Sequence, residues 1–325
     1  MISLIVTVLN EGESIHRLMR SLACQTFKPD EVVIVDGGSQ DDTVAAIRSY
    51  ADQLPLRVLV EPGCNISAGR NRAIIAAQGD IIAVTDAGVE LHPGWLEQIT
   101  RPLLENPSLN VVSGFFDAAP QTVFEAAMGA AVLPLVDEVN PHTFLPSSRS
   151  IAFRKSAWEK AGGYPEWLDY CEDLILDFRL RAVAGNFGFA PDARVNFRPR
   201  GSLKAYFKQY YRYARGDGKA DLWRKRHVIR YMTYLVAAPL LVLASLKIHK
   251  LVWLLFLPGG LVYLHQPYRR LPTVMRRLPH VTARDWLYAA ALVPVIRIMG
   301  DVAKMLGYPV GWLWRWPNNP PDWKL

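Results

Sequence analysis

The chain has 325 residues, 50% of them hydrophobic and 21% charged, with a formal net charge of +7 at pH 7. That length exceeds one ordinary domain and that composition excludes a disordered chain, so a globular part with a more apolar appendage is expected. Three widely spaced cysteines, Cys24, Cys64 and Cys171, with no histidine cluster exclude a disulfide framework and a structural zinc site.

In chain order, residues 2–9 (ISLIVTVL) read as a strand that ends at polar Asn10 and Glu11. The run is too short to cross a bilayer and lacks the basic start and cleavage site of a secretory signal, which predicts a cytosolic first domain. Further strands are expected at 31–36 (EVVIVD), 56–60 and 81–85, with helical stretches at 13–25, 43–50 and 67–77 between them. This alternation is the signature of stacked βα units around a mostly parallel sheet. Gly37 and Gly38 permit a tight connection, Asp42 is placed to cap the next helix, and Asp36 falls at the carboxyl end of its strand. Ligands collect at that edge in open α/β sheets. After residues 110–116 the pattern turns irregular, punctuated by Pro120, Pro134, Pro141 and Pro146. A strand near 151–153 and helices over 173–184 and 202–215 are still predicted.

Residues 231–246 carry no charge and are bracketed by Arg230 and Lys247. As a helix this run is roughly 24 Å long, slightly short of a hydrocarbon core of roughly 30 Å. Residues 251–264 are similar in length but hold Pro258, Gly259 and Gly260. The two are expected to form a hairpin, and residues 286–316 an interfacial helix anchored by the aromatic tail Trp312, Trp314, Trp316 and Trp323. Arg224, Lys225, Arg226, Arg230, Arg269, Arg270, Arg276 and Arg277 flank these runs, which makes membrane lipids, and not nucleic acid, the expected partner of the positive charge. Positive-inside bias then puts the first domain on the cytoplasmic face of a cell inner membrane. A buried helical core in a soluble protein is the competing reading. The expected organisation is a domain over 1–218 and a membrane-associated helical region over 219–325.

Carboxylates at element ends carry the chemistry. Asp36, in DGGSQDD, can accept from a base N–H or ribose hydroxyls. Glu172 and Asp173 begin a helical pattern, where they either complement the helix dipole or supply a general base. Gln209 and Arg212 share a helical face on which Arg212 can meet a pyrophosphate; a basic amphipathic helix on a membrane is the alternative.

Taken in order, Asn10-Glu11, DGGSQDD (36–42), GRNRA (69–73), GDIIAVTDAG (79–88), Glu172-Asp173 and QYYRY (209–213) resemble glycosyltransferase family 2 over most of the first 215 residues. The resemblance implies an α/β fold of the GT-A (Rossmann-like) type. It also implies inverting transfer of a sugar from a nucleotide-sugar donor to an acceptor hydroxyl, with a lipid-linked or cell-envelope glycan as the expected acceptor. Thr7, Asn10, Glu11 and Asp36 would then bind the donor's base and ribose, Arg70 would lie near the diphosphate, and Asp86 would open the DxD motif and hold a divalent cation, Mn2+ or Mg2+. Asp173 matches the ED-motif base with Glu172 as its supporting neighbour, and Gln209 and Arg212 match QxxRW with Tyr213 in the Trp position.

Two departures matter. Gly88 replaces the second DxD carboxylate, which weakens the metal assignment and favours the alternative of a catalytically silent membrane-bound scaffold. Tyr213 speaks against processive polymer synthesis. A sugar nucleotidyltransferase would want a basic glycine-rich loop where LNEGES (9–14) has no basic residue, and a dinucleotide oxidoreductase would want the missing GxGxxG.

Overall fold

A computed structural model of the chain describes residues 1–323. The elements follow in the order β1 (Ile2–Val8), α1 (Ile15–Ala23), β2 (Glu31–Asp36), α2 (Thr43–Arg48), β3 (Leu56–Val60), α3 (Ile66–Ala76), β4 (Ile81–Val84), β5 (Val89–Leu91), α4 (Trp95–Glu105) and β6 (Val111–Ala118). They continue with α5 (Val123–Val132), β7 (Ile151–Arg154), α6 (Lys155–Ala161), α7 (Glu172–Ala184), β8 (Gly188–Phe197), α8 (Leu203–Ala220), α9 (Arg224–Met232), α10 (Ala238–Lys247), α11 (Phe256–Met275) and α12 (Ala283–Asn318). The chain divides into two compact units, one made of residues 1–117, 135–197 and 321–325, the other of 118–134 and 198–320. The division falls at 197–198 and not at 218, and α5 belongs with the C-terminal helices.

The first unit carries one eight-stranded sheet in the order β3-β2-β1-β4-β7-β6-β8-β5. Pairings β1–β2, β2–β3 and β1–β4 are parallel, whereas β4–β7, β6–β7 and β5–β8 are antiparallel. The near-continuous apolar runs of β1, β2 and β4 follow from burial on both faces. Successive side chains of a strand point to opposite faces. Thus Leu4, Val6, Val32 and Ile34 pack with Leu18 and Leu22 of α1 and with Trp95 and Ile99 of α4. Ile5, Val33 and Val35 pack with Ala73 and Ile74 of α3, Trp158 of α6 and Leu176 and Leu180 of α7. The result is a mixed α/β fold of the GT-A type, as the sequence predicts. Asp42 does precede α2, but its side chain makes no capping bond. Asp41 does that work, accepting from Thr43 N at 3.1 Å and Gly12 N at 3.0 Å, because it also closes the loop after β1.

In the second unit α12 runs for 36 residues, through Pro294 and Pro309, and lies along α8 at unusually close range. A Cβ on Gly311 would fall 1.9 Å from the Arg215 carbonyl oxygen, and one on Gly307 2.2 Å from that of Tyr211. Glycine is what lets these backbones touch. Asp301 ties further helices together, accepting from Arg230 Nε at 2.8 Å and from the Tyr234 and Tyr263 hydroxyls at 3.1 and 2.6 Å.

Residues Arg224–Lys247 form one 24-residue helical run in which α9 passes through a π turn, Thr233–Ala237, into α10. Among the described residues it is the one helix long and apolar enough to cross a membrane. The expected second arm over 251–264 is not a separate helix. A 3-10 turn, Lys250–Leu255, leads into α11, which continues to Met275 with Pro258 in its first turn, where a proline costs no hydrogen bond. The tail tryptophans also part company. Trp312 and Trp316 pack edge-on at 5.3 Å and Lys219 lies over Trp314, whereas Trp323 stacks on Phe178 of the first unit at 5.2 Å.

Candidate functional site

Because β1, β2 and β4 are parallel, their carboxyl ends open on the same edge of the sheet. A cleft of about 190 Å³ lies there, lined by Thr7, Leu9, Glu11, Gly37, Cys64 and Gly69 among others. Gly69 makes this closeness possible, since a Cβ at that position would stand 2.9 Å from Thr7 Cγ2. Asn10, at φ +52°, turns the chain out of β1, and its side-chain oxygen accepts from Gln40 N at 2.8 Å. Asparagine tolerates that left-handed conformation better than other non-glycine residues. Asp36 is 0% exposed and accepts from Gly38 N and Ser39 N, both at 2.9 Å, and from the Ser39 hydroxyl. Its carboxylate shapes the loop beside the cleft, a different task from the direct base and ribose contact expected of it.

The rest of the GRNRA motif organises the carboxylates. Arg70 is 2% exposed and reaches Asp86 Oδ1 with Nη2 at 2.7 Å and Glu172 Oε1 with Nη1 at 2.6 Å. Its guanidinium also lies 5.2 Å from the centre of the Tyr164 ring, whose hydroxyl bonds the Ser148 hydroxyl at 2.9 Å. Asn71 holds the same segment through Tyr164 N and O, both at 2.9 Å. Arg70 is therefore a clamp between the end of β4 and the start of α7, with both arms committed. Sequence reasoning placed it at the diphosphate; the geometry places it between two carboxylates.

Helix α7 begins from Cys171, whose φ of +66° is strained for a non-glycine residue, and so presents Glu172 and Asp173 in its first turn. Glu172 is buried and Asp173 half-buried, with Asp173 Oδ1 accepting from Leu174 N at 2.9 Å. Burial pushes both carboxyls above the usual carboxylate range, and Asp173 adds to the rise at Glu172, while Arg70 pulls both back. One turn further on, Asp177 is 1% exposed, its Oδ2 has no hydrogen-bond partner, and burial followed by the charge of Asp173 holds its pKa well above the ordinary value. The site thus gathers Asp86, Glu172 and Asp173 around the Arg70 guanidinium, whose buried Nε has no hydrogen-bond partner, with Asp177 one turn further along α7, an arrangement that favours holding and moving protons.

A second cation stands at the open side. Arg149 Nε lies 3.8 Å from Asp86 Oδ2, Arg149 Nη1 donates to the Ser147 hydroxyl at 3.2 Å, and the guanidinium stacks over the Phe197 ring at 4.3 Å. No sequence motif marks Arg149. The missing signal is strand pairing: Val84 lies opposite Ile151, and continuing that antiparallel register past the ladder sets Asp86 opposite Arg149. Tyr164 and Asp177 had no sequence signal beyond an aromatic and an acid in ordinary settings.

A divalent cation at Asp86 meets an unsuitable donor set. Asp86 Oδ1 is bound by one guanidinium, Oδ2 faces another, Gly88 brings no carboxylate, and no group of three potential ligands exists among the described residues. Such ions want one or two unencumbered carboxylates beside the phosphates. Gln209 and Arg212 lie on α8, in the second unit, where Gln209 bonds the Tyr213 hydroxyl at 2.7 Å and Arg200 Nε at 3.2 Å.

Residues 3–150 match the family model described as glycosyl transferase family 2. The uncharacterized glycosyltransferase YibD of Escherichia coli is 33% identical over 106 residues, which cover 32% of this chain and 31% of that protein. The succinoglycan biosynthesis protein ExoA of Rhizobium meliloti is 27% identical over 268 residues, 79% of this chain and 81% of that one. In three dimensions the chain is similar to the mannosyltransferase PcManGT of Pyrobaculum calidifontis, solved in complex with GDP-Man and Mn2+, with a TM-score of 0.62 at 19% identity over 94% of this chain and 86% of that one. The matched segment carries the strand-end cleft, the GRNRA clamp and Asp86, so the likeness to glycosyltransferase family 2 falls on the candidate site itself.

Proposed function

We propose that the protein transfers a sugar from a nucleoside-diphosphate sugar to an acceptor hydroxyl with inversion at the anomeric carbon. The observation that carries this reading is the Asp86–Arg70–Glu172 bridge, which fixes the start of α7 against the end of β4 and holds Asp173 beside it. The donor's nucleoside fits the cleft at Thr7, Glu11 and Gly69, and its diphosphate points toward Asp86. Asp173 removes the acceptor proton while the acceptor oxygen attacks from the face opposite the leaving group. Its working form is ionised, and burial raises its pKa, so the acid limb of kcat/KM lies above the ordinary carboxylate range.

The acceptor we assign is a lipid-linked or cell-envelope glycan on the cytoplasmic face of the inner membrane. Two features support that placement: the run Arg224–Lys247, and the exposed apolar stripe Leu287, Val295, Ile298, Val302, Leu306, Val310 and Leu313 along α12. The relative ExoA of Rhizobium meliloti is named as a succinoglycan biosynthesis protein. The test is Asp173→Asn in membranes supplied with nucleotide sugars. Transfer is abolished while nucleotide binding persists; unchanged turnover would remove Asp173 as the base.

A further inference from the structure

The second unit holds a small group of charges among helices that otherwise present apolar side chains. Asp301 on α12 is taken by Arg230 Nε at 2.8 Å and by the Tyr234 and Tyr263 hydroxyls at 3.1 and 2.6 Å. Two further cations share its face of α12, Arg297 one turn before it and Lys304 one turn after, and both are half-buried. Neither makes a hydrogen bond or ion pair to any described residue, and the buried Nε of Arg297 has no partner at all. What they touch are rings: the Arg297 guanidinium lies 4.7 Å from the centre of the Tyr263 ring and Lys304 Nζ 5.0 Å from that of Tyr210. Burial, then the charge of Arg230, pushes Lys304 down to about 8, with Arg297 adding to the fall and Asp301 and Asp217 opposing it, so it remains a cation at neutral pH. Three cations thus crowd together, and the carboxylate they surround, Asp301, is already bonded to one of them. Partly buried charge left unpaired in this way is costly until an anion joins it.

The level of these cations along the helices gives the anion its character. The run Arg224–Lys247 and α12 are antiparallel, since His227 stacks on Tyr308 at 3.8 Å, the Tyr231 hydroxyl donates to the Met305 carbonyl at 2.7 Å, and Tyr234 reaches Asp301. Lys304 is therefore level with the basic start of that run, whereas Arg297, about 6 Å before Asp301 along the axis of α12, is level with its apolar part. An ionisable side chain at such a depth marks a ligand site, and a guanidinium suits phosphate oxygens. The adjoining face of α12 exposes Leu287, Val295, Ile298 and Val302, so the cations border an apolar stripe. We propose that Arg297 and Lys304 hold the phosphate head of the long-chain lipid that carries the acceptor glycan, with the lipid chain lying along that stripe. This rests on the reading of the protein as a glycosyltransferase with a lipid-linked acceptor. Two unpaired cations match a terminal phosphate, which carries close to two charges at neutral pH, better than they match the single charge of a bulk phospholipid's phosphodiester.

The experiment is calorimetric titration of the full chain in a neutral detergent with farnesyl phosphate, farnesol, phosphatidylglycerol and inorganic phosphate, as wild type, Arg297→Met, Arg297→Lys, Lys304→Met and, as a control on the exposed start of α12, Arg284→Gln. Farnesyl phosphate binds wild type more tightly than the other three, and Arg297→Met and Lys304→Met each weaken it roughly tenfold to a hundredfold, as for loss of one charged hydrogen-bonding group. Arg297→Lys recovers part of the loss, and Arg284→Gln binds as wild type does. Equal affinity for farnesol, phosphatidylglycerol or inorganic phosphate overturns the proposal, as does undiminished binding by either methionine variant or an equal loss in Arg284→Gln. Because the two cations lack partners, removing one leaves the melting temperature without lipid unchanged or higher; an Arg297→Met protein that melts well below wild type marks a strut between helices and overturns the proposal. Titration with UDP and GDP separates the two levels of the reading. A wild type that binds nucleoside diphosphate but not farnesyl phosphate overturns this inference alone, and one that binds neither nucleoside diphosphate overturns the transfer reading and with it the lipid's role as acceptor.

Discussion

Replacing Arg70 with methionine removes the buried cation that bridges Asp86 and Glu172. At neutral pH the change leaves Glu172, buried against a side chain of similar length but no charge, without compensation, while Asp86 is 28% exposed and regains water. The Glu172 arm therefore dominates, and breaking a buried pair of this kind costs about 3–5 kcal/mol. The sign with pH follows from the carboxyls. Burial already raises Glu172 and Asp173, Arg70 opposes that rise, and removing Arg70 raises both further. A carboxyl held above its unfolded value contributes stability that is complete below about pH 4 and is lost as pH climbs through the folded value. The deficit of Arg70→Met is accordingly small in acid and full at pH 8. Urea unfolding at pH 5 and pH 8 measures it, with Arg70→Lys, which can keep one arm, falling between. An equal loss at both pH values would refute the charge argument and leave only packing.

Cys64 lines the cleft assigned to the nucleoside, so saturating nucleotide should slow its alkylation by a neutral maleimide, whereas exposed Cys24 reacts at an unchanged rate; mass spectrometry of the labelled peptides separates the two. Asp177→Asn removes a buried carboxyl whose Oδ2 lacks a partner, so the variant should gain up to about 1–3 kcal/mol at pH 8 and nothing near pH 4, read by the same urea titrations. A variant no more stable than wild type at pH 8 would show that Asp177 titrates in the folded protein as it does in the unfolded chain. Gly311→Ala forces a Cβ against the Arg215 carbonyl and should lower the melting temperature of the second unit, at a cost of about 1–3 kcal/mol, whereas Gly259→Ala, with open space around it, should cost nothing.

Much of the first unit was legible because its strands are buried on both faces and so appear as uninterrupted apolar runs: 31–36 and 56–60 match β2 and β3, and 81–85 overshoots β4 by one residue. The helices α4 and α5 and the strands β5 and β8 were not. Trp95–Glu105 contains Pro102, which reads as a break, and VFEAAMGAAV is apolar on every side, so it shows no amphipathic period. In the C-terminal region the apolar runs were visible, but their partition was not. What divides α10 from α11 is the reversal at Ile248 and His249, and what fixes α12 is the fit of Gly307 and Gly311 against carbonyls of α8, a constraint that exists only between two chain segments.

The candidate site shows the same limit at higher resolution. Motif order located Glu11, Arg70, Asp86 and Asp173, because each sits at the end of an element whose pattern is local. The roles depend on distances between elements. Arg70 is adjacent in sequence to a glycine that suits phosphate approach, yet Asp86 and Glu172, 16 and 102 residues away, close on it first. Arg149 belongs to no motif, yet the β4–β7 register carries it opposite Asp86. Had Gly88 been an aspartate, a second negative charge would stand near a pair of guanidiniums already sharing Asp86, and a cation would be the natural way to balance it. With glycine there, no second carboxylate joins Asp86 in that triplet, and the two oxygens of Asp86 face a buried guanidinium at 2.7 Å and a second one at 3.8 Å.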